Sequence, residues 1–97
     1  MILHIINKSP LQHSAMNDAL PFINKDDQVI LIDDGVYAAI SGTPGINKIK
    51  AINCQCMVLN DDIEMRGIKN IDTSVQIITM NDFVARVFNA SKNISWY

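Results

Sequence analysis

The chain has 97 residues, 48% of them apolar and 19% charged, with a formal net charge of −2. That length fits a single domain over residues 1–97. The composition excludes a disordered chain, and apolar runs of four or five residues are too short for a membrane span. Eight Lys and Arg scattered singly make a poor electrostatic footprint for nucleic acid. If the protein serves a nucleic acid, another component grips it.

Residues 1–7 are apolar, without the basic region or small-residue cleavage site of a signal peptide, and read as a strand. Ser9-Pro10-Leu11-Gln12 then carries a helix-start signature: Ser at the cap, Pro at the first position, Gln reaching back. Leu11, Ala15, Met16, Ala19, Leu20 and Ile23 follow as a helical stripe. Pro21 removes a hydrogen bond and clashes with the preceding turn, so the helix is expected to kink or end near Leu20. Val29-Ile30-Leu31-Ile32 is the second strand. A short helix is expected from Val36 to about Ile40, a break at Gly42–Gly45, and another turn or two over Ile46–Ile52.

Cys56-Met57-Val58-Leu59 is the third strand. The next helix starts at Asn60 or Asp61, where Asp61 and Glu64 fit a capping box, and ends at Arg66 with Gly67 just past it. Val75–Ile78 is the fourth strand, and a helix from Asn81 carries the stripe Phe83, Val84, Val87 and Phe88. Ile94–Tyr97 reads as a terminal strand. The first four strand segments are mostly continuous apolar runs, not alternating, as in parallel sheets covered on both faces. Regular alternation with helices predicts right-handed crossovers. The expected fold class is α/β: a small three-layer, doubly wound, mostly parallel, flavodoxin-like sheet.

Few residues offer chemistry. Asp33-Asp34-Gly35 stands at the carboxyl end of a strand, where such folds place functional loops. A Mg²⁺ site would need carboxylates to converge, and a response regulator would need acids after the first strand and a Lys after the fourth. Asn7-Lys8 and Thr79-Met80 supply neither. The favoured reading is that one aspartate caps the following helix and the other is solvated. Cys54 and Cys56 leave a zinc site two ligands short and fall at a strand, not at a helix start that would activate a thiol. They read as free thiols in a reducing, cytoplasmic setting, with structural burial preferred over reactivity. His4 interrupts a buried strand and reads as a satisfied core or rim histidine. The five methionines read as core filler. No nucleophile–base pair and no phosphate-binding glycine loop is present, so no catalytic residue, metal or cofactor is assigned.

The strings "LHIINKSP", "LIDDGVYAAISG", "LNDDIEMRG" and "NDFV", with a Trp at the end, occur in an order and spacing that resembles the TusB/DsrH family nearly end to end. The resemblance implies a DsrEFH-like fold. It also implies a small subunit of a cytoplasmic sulfur-relay complex with TusC-like and TusD-like subunits, a heterohexamer built as a dimer of trimers. That complex passes persulfide sulfur for 2-thiolation of the tRNA wobble uridine. Some DsrH-like relatives in sulfur oxidation carry a cysteine in the first helix; aligned through "NKSP", that position here is Ala19. The resemblance thus favours the TusB-like branch and a non-catalytic subunit. Asp33, Asp34 and Gly35 would shape the rim of a subunit interface. The alternatives are a DsrH-like role in sulfur oxidation, or a sulfurtransferase carrying persulfide on Cys56 or Cys54.

Overall fold

The computed structural model describes residues 1–97. Five strands form one sheet: β1 (Ile2–Ile6), β2 (Gln28–Leu31), β3 (Gln55–Leu59), β4 (Gln76–Ile78) and β5 (Lys92–Trp96). Their order is β4-β3-β2-β1-β5, and every pairing is parallel. The α/β class and the parallel sheet agree with the continuous apolar runs. Four α-helices connect the strands: α1 (Ala15–Ala19), α2 (Pro44–Ile52), α3 (Asn60–Met65) and α4 (Met80–Asn89).

The strand order dictates how the helices are shared between the faces. From β1 to β4 the chain steps across the sheet in one direction, so right-handed crossovers put α1, α2 and α3 on one side. The step from β4 to β5 runs the opposite way and puts α4 on the other. The two apolar clusters follow this division. The larger joins Ile6, Val29, Leu31 and Val58 to Met16, Ile46, Ile49 and Ile63. The smaller joins Leu3, Ile30, Met57 and Ile78 to Phe83 and Val87 of α4. One face thus has three helices and the other has one.

Several local expectations are corrected. The first helix begins at Ala15, not at Ser9. Ser9 instead forms a turn, its hydroxyl accepting from Leu11 N at 3.2 Å and its carbonyl from Gln12 N and His13 N. Leu11 is consequently 86% exposed and not part of a buried stripe. Pro21 acts as expected: α1 stops at Ala19 and a single 3₁₀ turn, Leu20–Phe22, follows. The segment after β2 is a 3₁₀ helix, Asp33–Ala39, not an α-helix. Asp61 and Glu64 form no capping box, because β3 runs directly into α3 with Leu59 at the cap. Gly67 has a φ of +65°, the left-handed geometry expected after a helix.

Helix α4 starts at Met80 and has the capping box that the expected start at Asn81 misses. Thr79 Oγ1 accepts from Asp82 N at 3.2 Å, and Asp82 Oδ2 accepts from Thr79 N at 3.3 Å. Its apolar stripe is split: Phe83 and Val87 pack on the sheet, while Val84 and Phe88 are exposed. The methionines divide too, since Met16 and Met57 are buried but Met1, Met65 and Met80 are exposed. At the amino end of the strands, Gln28, Gln55 and Gln76 form an amide ladder with two bonds of 3.1 Å. Arg86 Nη1 closes it at 3.3 Å on Gln28.

Candidate functional site

The carboxyl end of the sheet carries Asp33-Asp34-Gly35. Ile32 N donates to Ile6 O at 3.0 Å, and the chain then turns sharply against the end of β1. Asp33 adopts a φ of +48°, a conformation that Asp tolerates better than most residues. Neither aspartate caps the 3₁₀ helix through its side chain, which corrects the cap reading. The capping carboxylate comes from α3: Asp62 Oδ2 accepts from Asp33 N at 2.7 Å. Asp34 is not simply solvated, because its Oδ1 accepts from Arg66 Nη2 at 2.9 Å and Nε at 3.1 Å. Arg66 Nη1 also donates to the Asp62 carbonyl at 3.2 Å. The pair of aspartates therefore fastens the loop to α3, and no group of three His, Cys, Asp or Glu side chains is placed to hold a metal ion.

The two cysteines lie at the opposite end of the sheet. Asn53 ends α2 in the left-handed conformation, at φ +60°. Cys54 follows immediately, at the negative pole of the helix, where a thiolate is disfavoured. Cys54 is half-buried and Cys56 buried. Both border a shallow cleft of about 230 Å³ with Lys50 and Ser74. The Lys50 ammonium is engaged 3.6 Å from Asp72 Oδ2. Burial, with the nearby Asp27 charge, pushes the Cys54 thiol up. Burial, with Cys54 beside it, pushes Cys56 up to about 12. Neither sulfur is in the electropositive, accessible setting that a nucleophilic cysteine needs. Ala19, the position of interest in the first helix, is 0% exposed.

His4 is fully buried on β1 with both ring nitrogens engaged. Nε2 lies 3.2 Å from Asp27 Oδ2, and Nδ1 accepts from Trp96 Nε1 at 3.1 Å. Asp27 also accepts from Ile2 N and Asn24 N, each at 3.0 Å. Burial pushes the Asp27 carboxyl up, but the backbone donors Asn24 and Ile2, and then His4, outweigh it and hold the group below its ordinary value. Positions 4, 27 and 96 are brought together only by the sheet order, and no sequence spacing announces them.

A cavity of about 160 Å³ opens between the turn after β1 and α2, lined by Leu11, Met16, Tyr37, Ile40 and Pro44, with Lys48 at its rim. It can bury an apolar group but holds no nucleophile–base pair. No helix is long and apolar enough to cross a membrane.

Comparison with known proteins bears on these features. The profile of the DsrH-like protein family matches residues 8–93. Protein TusB of Enterobacter sp. (strain 638) is 31% identical over 96 residues, covering 98% of this chain and all of that protein. Protein TusB of Pectobacterium parmentieri is 30% identical over the same length and coverage. Among solved structures, the ychN protein from E. coli superposes with a TM-score of 0.82 over 97% of each chain at 18% identity, a likeness of fold alone.

Proposed function

The chain belongs to the DsrH-like family, and on that premise we propose that it is a sulfur-relay subunit that contributes contact surface and shape while its partners carry the sulfur. The partners in this reading are TusC-like and TusD-like subunits, assembled as a dimer of trimers in the cytoplasm. The pathway is 2-thiolation of the tRNA wobble uridine. Asp33, Asp34 and Gly35 form part of the rim that a partner meets, held in shape by Asp62 and Arg66. With a net charge of −2, the chain leaves the tRNA to other components. It works without a metal or cofactor of its own.

The observation that carries this reading is the state of the thiols. A persulfide carrier attacks as thiolate, and both cysteines here are shifted towards the thiol. Ala19 has no sulfur to offer and is sealed in the core. The test is a chain with Cys54→Ser and Cys56→Ser in cells lacking the native copy. Wobble 2-thiouridine, measured by mass spectrometry of digested tRNA, is expected at the unmodified chain's level, while loss of the chain abolishes it. A double variant that assembles with its partners yet fails to thiolate, or an added sulfur atom on this chain after incubation with a cysteine desulfurase and cysteine, overturns the reading.

A further inference from the structure

The surroundings of His4 fix where its proton sits. The indole Nε1 of Trp96, 3.1 Å from His4 Nδ1, can only donate, so Nδ1 bears no proton. The Asp27 carboxylate, 3.2 Å from Nε2, can only accept, so Nε2 bears it. His4 is therefore neutral and held in one tautomer. A second proton can enter only at Nδ1, and there it would face the indole N–H. Two donors cannot share that contact.

We propose that His4 is a proton-operated latch on the end of β5: protonation at Nδ1 expels the Trp96 indole and frees the carboxyl-terminal residues from the sheet edge. A proton from solvent adds to Nδ1, the indole N–H···N bond breaks, and the imidazolium keeps its Nε2–H bond to Asp27. Asp27 draws the proton in, because its carboxylate, 3.2 Å from Nε2, meets the new charge and two backbone contacts, from Ile2 N and Asn24 N, stop it from moving away.

Asp27 is the charged side chain in hydrogen-bond contact with the ring, and Lys92, on the same face of β5 as Trp96, is exposed. On β5 the facing group is Trp96, which does not titrate, and Phe22 of the 3₁₀ turn stacks on Trp96 at 5.7 Å. Cys54 approaches Asp27 from the start of β3 as a thiol. Asp18 of α1 is exposed and turned to Ser14 at 3.0 Å. The indole has a way out: β5 pairs only with β1, Phe22 is 63% exposed and Tyr97 83% exposed. Local opening at such an edge is among the least costly motions of a fold. Binding of the proton and release of the indole are coupled reciprocally, so what holds Trp96 in place also keeps the proton off His4.

The test uses the full chain, independently of any relay partner. Trp96 is the only tryptophan and His13, exposed, the only other histidine. Trp96 emission is expected to shift to longer wavelength over the pH span in which the ¹⁵N signals of His4 pass from the Nε2–H tautomer to the doubly protonated ring. The helical far-UV circular dichroism signal should persist across it, which separates release of the strand end from global unfolding. Trp96→Phe is expected to raise the proton affinity of His4 about three- to tenfold, the worth of one buried hydrogen bond. His4→Phe is expected to abolish the emission transition. The latch is overturned if Trp96 emission stays flat while His4 titrates, if the transition survives in His4→Phe, or if His4 stays neutral until the whole chain unfolds. Should His4→Phe not fold, the coincidence of the two signals in the unmodified chain decides.

Discussion

A methyl group on Gly35 would overlap the carbonyl oxygen of Ile6, which is itself bonded to Ile32 N. The close crossing of the two chain segments, and not the backbone angle, requires glycine here. Overpacking against rigid backbone commonly costs about 1–3 kcal/mol and sometimes more. Gly35→Ala is expected at or beyond the upper end, about 3 kcal/mol, read as a lowered urea midpoint. The residues around it were legible in the sequence only as a set. Asp33, Asp34 and Gly35 stood out as a loop at a strand end, but the partners that define their roles, Asp62 and Arg66, lie about thirty positions away. Local capping preference pointed to Asp33 or Asp34 because those are the acids nearest the helix in sequence. A carboxylate from α3 occupies the position in space.

At the level of elements, the strands were the legible part. A parallel sheet covered on both faces needs apolar runs, and those runs set the first four strands to within a few residues, whereas β5, with the sequence KNISW, has no such run and begins two residues before the expected Ile94. Helix starts were less legible, since Ser-Pro suits a turn as well as a cap. After β1 the chain takes the turn, leaving Leu11 in solvent, and the true start at Ala15 lacks a side-chain cap. Helix α4 shows the opposite case: Thr79 and Asp82 stand three apart, as a capping box requires, and the structure uses both. Replacing Thr79 by Ala removes the only such box on the helix covering the second face. The expected loss is about 1 kcal/mol of stability, measured by chemical denaturation. Val84 and Phe88 fit the helical period of α4 yet remain exposed, because a single helix cannot turn so wide a stripe onto the sheet.

For the molecule as a whole, stability should depend on pH through two pinned carboxylates. Asp27 is held below its ordinary value by the balance described above, and Asp72 by its side-chain and backbone bonds to Ser74, with Lys50 adding to them. A carboxyl group whose value is lowered by folding stabilises the folded chain above its unfolded value, near pH 4, and that contribution is lost as the pH falls through the lowered value. The contribution of these two carboxylates to the urea midpoint is therefore expected to be level from neutral pH down to about 5 and to drop below about 4. Asp27→Asn should flatten that drop. The family and the architecture were readable from strings and patterns spread along the whole sequence. The His4–Asp27–Trp96 triangle was not, because it joins the second strand's entrance to both ends of the chain and exists only once the sheet order is known.

That order has a consequence for biosynthesis. The strand that completes the outer edge of β1 is the last to be made, with Ile2–Ile6 waiting for Lys92–Trp96. While the nascent polypeptide is still held in the ribosomal tunnel, its first strand has one neighbour and an open rim of peptide groups. The sheet can be finished only after Lys92–Trp96 has left the tunnel, so a growing chain meets chaperones and neighbours with that rim still bare.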